Sequence, residues 1–202
     1  MLIFSSPPPT PPPPPSPPLS PLPHRSFDRL VSNFFQQLPS LTTINLSHND
    51  LQEIPFGVFN NNKNLQQLHL DGNKLRRISN GVFGQLPTST GRSSGEEDAS
   101  ASASASASAA PRSSSRASSS SQLRVLDLQR NAIQLIDDYA FRGLNQLLTL
   151  NLTGNNLNHV PVALKDLEKL ESLDISNNNV LNVDGNSFTG LTALKSLNLR
   201  YS

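Results

Sequence analysis

Leucine, isoleucine and valine recur at fixed offsets through most of this chain, separated by polar residues in a constant pattern. LTTINLSHNDLQEIPFGVF begins at Leu41 and LQQLHLDGNKLRRISNGVF at Leu65. LRVLDLQRNAIQLIDDYAF follows at Leu123, LLTLNLTGNNLNHVPVAL at Leu147 and LESLDISNNNVLNVDGNSF at Leu170, and a shorter copy, LKSLNLRYS, begins at Leu194. Successive starts lie 24 residues apart, or 23 between Leu147 and Leu170, and only the step from Leu65 to Leu123 is longer. Within each copy the alternation Ile44-Asn45-Leu46 or Leu126-Asp127-Leu128 predicts a short strand with one buried face. A lone strand of that length cannot bury its apolar side. Stacked copies can, and the pattern predicts an α/β solenoid, a right-handed curved stack with a parallel sheet on its concave face.

The remaining fixed positions divide into polar and apolar columns. Asn49, Asn73, Asn131, Asn155 and Asn178 follow each strand, and an amide there can donate to and accept from the turns of adjacent copies. They are expected to form a structural asparagine ladder, where one lost buried partner costs roughly 1–3 kcal/mol. Leu51, Leu75, Ile133, Leu157 and Val180 are expected in the core, as are Ile54, Ile78, Ile136, Val160 and Val183. Phe59, Phe83, Phe141, Leu164 and Phe188 form a third core column. Upstream, Phe27, Leu30 and Phe35 keep the same phase. Leu38 matches the phase of Leu86, Leu144, Leu167 and Leu191, where the first full copy has Asn62 instead. Residues 26–40 therefore read as the second half of an earlier repeat.

Strand side chains facing away from the core are the candidate partner-binding surface. One column holds Thr43, Gln67, Val125, Thr149, Ser172 and Ser196; the next holds Asn45, His69, Asp127, Asn151, Asp174 and Asn198. A rigid sheet presenting many weak polar contacts limits the ordering cost of binding. Asn45-Leu46-Ser47 and Asn151-Leu152-Thr153 are also N-glycosylation sequons, usable if the chain is exported.

Composition interrupts the pattern twice. Residues 1–25 are proline-rich and are expected to form a disordered tail of polyproline II character. Residues 88–122 contain a long Ala/Ser run with too few apolar side chains to offset the entropy of ordering. Closing a loop of that length costs roughly 3 kcal/mol plus a constant, so the repeat at Leu65 is expected to stack directly on that at Leu123. The domain reading is a tail over 1–25, repeats over 26–87, the insert over 88–122 and repeats over 123–202.

The formal net charge of +1 gives no electrostatic reason to expect a nucleic-acid partner. No apolar run approaches the ~20 residues of a membrane span, and Leu2-Ile3-Phe4 is too short for an export signal of roughly 7–15 apolar residues. Cysteine is absent, which excludes disulfides and thiolate chemistry within these residues. His24, His48, His69 and His159 are separated in sequence and in repeat phase, and no nucleophile, phosphate-binding or zinc-ligand motif occurs. No catalytic residue, metal ligand or cofactor is expected; the expected partner is a protein.

The repeat resembles the "typical" class of leucine-rich repeats, whose signature is L-x-x-L-x-L-x-x-N-x-L-x-x-I-x-x-x-x-F-x-x-L. AFRGLNQLLTL from Ala140 and SFTGLTALKSL from Ser187 match its convex half closely. The resemblance implies a module of an animal cell-surface or secreted protein, similar to Toll, Slit, chaoptin and the small matrix proteoglycans, working in adhesion or receptor-type recognition. The chain departs from that class in lacking cysteine-rich caps, an export signal and a membrane anchor, and is expected to be a fragment. The alternative is an intracellular scaffold or adaptor with a proline-rich tail. Ile54-Pro55 and Val160-Pro161 resemble intracellular repeats in carrying a proline after the apolar position.

Overall fold

A computed structural model describes residues 26–83 and 121–202. The expectations for the proline-rich tail, for most of the Ala/Ser insert and for Leu86 lie outside the described residues. The expected parallel-sheet solenoid is the fold. Its main sheet is built from β1 (Thr43–Asn45), β2 (Gln67–His69), β4 (Val125–Asp127), β6 (Thr149–Asn151), β7 (Ser172–Asp174) and β8 (Ser196–Asn198), all parallel and in that order. Each strand is three residues long, and in all but β8 the central side chain is buried between two outward-facing ones. Register follows the repeat: Leu68 sits beside Ile44 on one side and Leu126 on the other. Pairing of β2 with β4 thus carries the sheet across the interruption between Phe83 and Ser121 without a slip.

A second, two-stranded sheet forms on the far side of the turns. Its strands are β3 (Arg77–Ile78) and β5 (Leu135–Ile136), again parallel. Ile78 and Ile136 point into the core, and the Arg77 guanidinium meets the Asp137 carboxylate at 2.8 Å. Asp137 also accepts the Asn80 backbone N–H at 3.2 Å, and the Asn80 side chain accepts from the Tyr139 N–H at 3.0 Å. The two repeats on either side of the interruption are therefore tied at both faces.

The core is continuous from Leu30 to Leu191. Phe35, Phe59, Phe83 and Phe141 stack ring on ring, with centroids 5.7, 6.3 and 6.3 Å apart. Leu164 takes the next place, in the 23-residue copy, where a 3-10 helix spans Val162–Asp166. Pro161 precedes it with an extended backbone, φ −65° and ψ 131°, which proline's ring favours. Asn62 stands where other copies have leucine and is buried; its amide donates to the carbonyl oxygens of Phe35 (3.2 Å) and Leu38 (2.7 Å).

Three expected core positions are corrected. Phe27 and Val183 are about half exposed, at 51% and 50%, and Leu38 is 50% exposed. Phe27 and Leu38 belong to the first described layer, with a neighbouring repeat on one side only. Val183 lies at the other end of the described residues, with a neighbouring convex half described on one side only.

Candidate recognition surface

The outward side chains of the six strands form two columns on one flat support. Thr43, Gln67 and Ser196 are exposed, whereas Val125, Thr149 and Ser172, on the central strands β4, β6 and β7, are half-buried. In the second column Asn45 and Asn198 are exposed, and His69, Asp127, Asn151 and Asp174 are half-buried. Buried Leu68, Leu126, Leu150 and Leu173 alternate with them and fix their outward direction.

The second column has a local duty that repeat phase alone did not reveal. Side-chain oxygens of Asn45, Asp127, Asn151, Asp174 and Asn198 each accept the backbone N–H two residues ahead, at 2.9–3.1 Å. This Asx turn ends the strand and swings the chain toward the core. The residue three places after every position of the column, His69 included, adopts a left-handed backbone: φ is +55° at His48 and Tyr201, +51° at Arg130 and +54° at Asn177, and +65° and +67° at Gly72 and Gly154. His69 is the exception in the column, an imidazole where an Asx turn would be made.

Directly after that turn the asparagines form a continuous relay. Asn155 donates to the carbonyl oxygens of Leu128 (3.0 Å) and Leu152 (2.9 Å) and accepts from the Ile133 N–H at 3.1 Å. Asn73, Asn131 and Asn178 bond in the same way to their own turn and to the preceding repeat. Asn49 makes its own-turn bonds and accepts from the Phe27 N–H. The outward columns thus stand on a support whose buried backbone groups are satisfied repeat by repeat.

Charge is unevenly spread over the surface. Burial pushes the Asp127 carboxyl above its ordinary pKa, outweighing the N–H donated by Gln129, and the nearby Asp71 carboxylate pushes it the same way while His69 opposes. Asp174, in the same column, is also raised by burial, but donors from Ser176 and Asn198 prevail and hold it below the ordinary value. Asp71 adjoins Asp127 from the turn after β2, and it accepts from the Ser47 hydroxyl and lies 3.4 Å from His48 Nε2. Among the described residues only His69, Asp71 and Asp127 bring three His, Asp or Glu ligand atoms within 4.8 Å of one another. Repeat-by-repeat reading separated these residues: Asp71 and Asp127 are 56 positions apart and in different phases. The missed signal was that residues two places apart in phase, taken from adjacent copies, face each other.

The leucine rich repeat family model matches residues 39–90, 121–180 and 168–202, about two thirds of the chain. The chain is a leucine-rich repeat protein. Among solved structures this leucine-rich repeat chain is similar to TLR13 in the crystal structure of its complex with ssRNA13, at TM-score 0.60 and 23% identity over 86% of the chain. It is similar also to a leucine-rich repeat protein of Leptospira interrogans, at TM-score 0.53 and 21% identity over 77% of the chain. It spans 21% and 30% of those two proteins' own lengths. No curated protein sequence matches it. No helix among the described residues is long and apolar enough to cross a membrane.

Proposed function

We propose that this leucine-rich repeat module is a non-enzymatic recognition unit of an animal cell-surface or secreted protein, and that it binds a protein partner on the outward face of its main sheet. The observation that carries the reading is the pair of outward columns: twelve side chains of mixed polar character, held on six hydrogen-bonded strands over a fully apolar layer. Such a surface is ordered before any partner arrives, so binding immobilises little further. The phenylalanine-bearing copies, rather than the shorter one at Leu147, set the prevailing repeat type and favour the extracellular setting over an intracellular adaptor.

A protein suits this face better than a nucleic acid. Asp127 and Asp174 stand in the second column and Asp71 beside it, while the chain's net charge is only +1. Phosphate recognition draws on clustered Lys and Arg, which these columns lack. In an exported chain Asn45, the more exposed of the two sequon residues, would carry glycan more readily than half-buried Asn151.

The test is a screen of the full chain against secreted and cell-surface proteins, with single-stranded RNA as a parallel arm. A protein partner is expected, lost on combining Val125→Lys with Thr149→Lys and retained with Lys165→Ala on the opposite side. Binding to RNA alone, or a partner indifferent to the two sheet substitutions, would overturn the reading.

A further inference from the structure

We propose that His69, Asp71 and Asp127 form a binding site for a divalent transition-metal ion of the zinc class. The first argument is geometric. One imidazole nitrogen and two carboxylate oxygens lie within 4.8 Å of one another, contributed by β2, the turn after it and β4. Zinc bonds nitrogen and carboxylate oxygen at about 2.0–2.2 Å, so tetrahedral ligands stand about 3.2–3.6 Å apart. Modest side-chain rotation on a fixed sheet closes the difference. Three protein ligands leave a fourth position for water.

The second argument is that the repeat pattern demands neither His69 nor Asp71, Asp127 alone of the three closing an Asx turn. Every other residue in the His69 column closes an Asx turn. The equivalents of Asp71 are Ser47, Gln129, Thr153, Ser176 and Arg200, with no other carboxylate among them. Three other acidic side chains pair with permanent cations, Asp50 with Lys74, Asp137 with Arg77 and Glu171 with Lys195. Asp71 instead has the His48 imidazole at 3.4 Å.

The third argument is support around the ligands. The Ser47 hydroxyl donates to Asp71, and the Gln129 backbone N–H and amide donate to Asp127 at 3.1 and 3.3 Å. Orienting donors of this kind are what hold metal-binding carboxylates in place. Two carboxylates and a neutral imidazole carry a charge of minus two, which a divalent ion neutralises. The imidazole selects zinc-class ions over magnesium and calcium, which prefer all-oxygen sites.

Zinc chloride titrated into the metal-free full chain by isothermal calorimetry tests the site. One equivalent should bind, and His69→Ala or Asp127→Asn should weaken it at least tenfold. His159→Ala should leave it unchanged. In a second measurement, zinc should raise the melting temperature of the wild type and fail to do so for the two variants. If His69→Ala proves poorly folded, Asp71→Asn carries the same expectation. Failure of the wild type to bind zinc, undiminished binding by the variants, or a preference for magnesium or calcium would overturn the assignment.

Discussion

The Arg77 guanidinium lies 2.8 Å from the Asp137 carboxylate, although sixty residues of sequence separate them. Between them the chain leaves and re-enters the repeat, yet β2 meets β4 and β3 meets β5 in the register that an uninterrupted stack would give. The repeats before and after the interruption are consequently expected to behave as one cooperative body. With a protease site placed between residues 84 and 120, cleavage should yield two pieces that co-elute on native gel filtration. Separate elution would refute the stacking. Asp137→Ala removes both this pair, screened at its exposed Arg77 end, and the acceptor of the Asn80 N–H, and should lower the urea denaturation midpoint without separating the two halves.

The asparagine relay should dominate polar contributions to stability. Asn155→Ala strips partners from two carbonyl oxygens and one N–H in a buried setting. A loss of about 3 kcal/mol is expected, at the upper end for an unsatisfied buried group. Asn49→Ala, in a part-exposed turn at the edge of the described stack, should cost about 1 kcal/mol. Equal losses at the two sites would contradict the relay's dependence on burial.

Gly72 tests the left-handed turn. Its φ is +65°, and an added Cβ would come within 2.6 Å of His48 Nδ1. Gly72→Ala should destabilise by about 1–2 kcal/mol from backbone conformation alone, with the His48 contact adding to it. Gly154→Ala, at φ +67° with no atom nearer than 3.7 Å, isolates the backbone part and should cost less. Thermal melts of the two variants side by side make the comparison.

The two column aspartates should respond oppositely to acid in metal-free buffer. Asp127 has a folded pKa above its unfolded value. Its contribution is present below the unfolded pKa and is lost as pH rises through the folded one, so at neutral pH it opposes folding. Asp127→Asn should therefore stabilise at neutral pH, with the gain vanishing near about pH 3. Asp174 has a lowered folded pKa, so its contribution is present above the unfolded value and disappears as pH falls through the folded one. Asp174→Asn should destabilise at neutral pH and converge with wild type in acid. Denaturation midpoints at both pH values decide, and a shared direction for the two variants would contradict the assignment.

Repeat phase made the fold legible because each column repeats one physical demand: Leu68, Leu126 and Leu150 must be buried, and Asn73, Asn131 and Asn155 must bond adjacent turns. Phase says nothing about where a column runs out of neighbours, which is why Phe27 and Val183 read as core and are half exposed. It was also silent on the left-handed turns at His48, Arg130 and Asn177, where only Gly72 and Gly154 carry the usual sequence signal. The outward columns could be named from alternation, but the meeting of His69 and Asp71 with Asp127 joins two phases across the insert. Chemistry that crosses columns escapes a reading made one column at a time.

The interruption between Phe83 and Ser121 enters and leaves at a corner where neither sheet loses a pairing. Sequence can therefore lengthen or shorten at that corner without touching either ladder, so drift in length there is nearly neutral for the fold. The same corner is a natural grafting point: an epitope or reporter peptide exchanged for the present insert would leave Gln67 and Val125 side by side, and the recognition columns undisturbed.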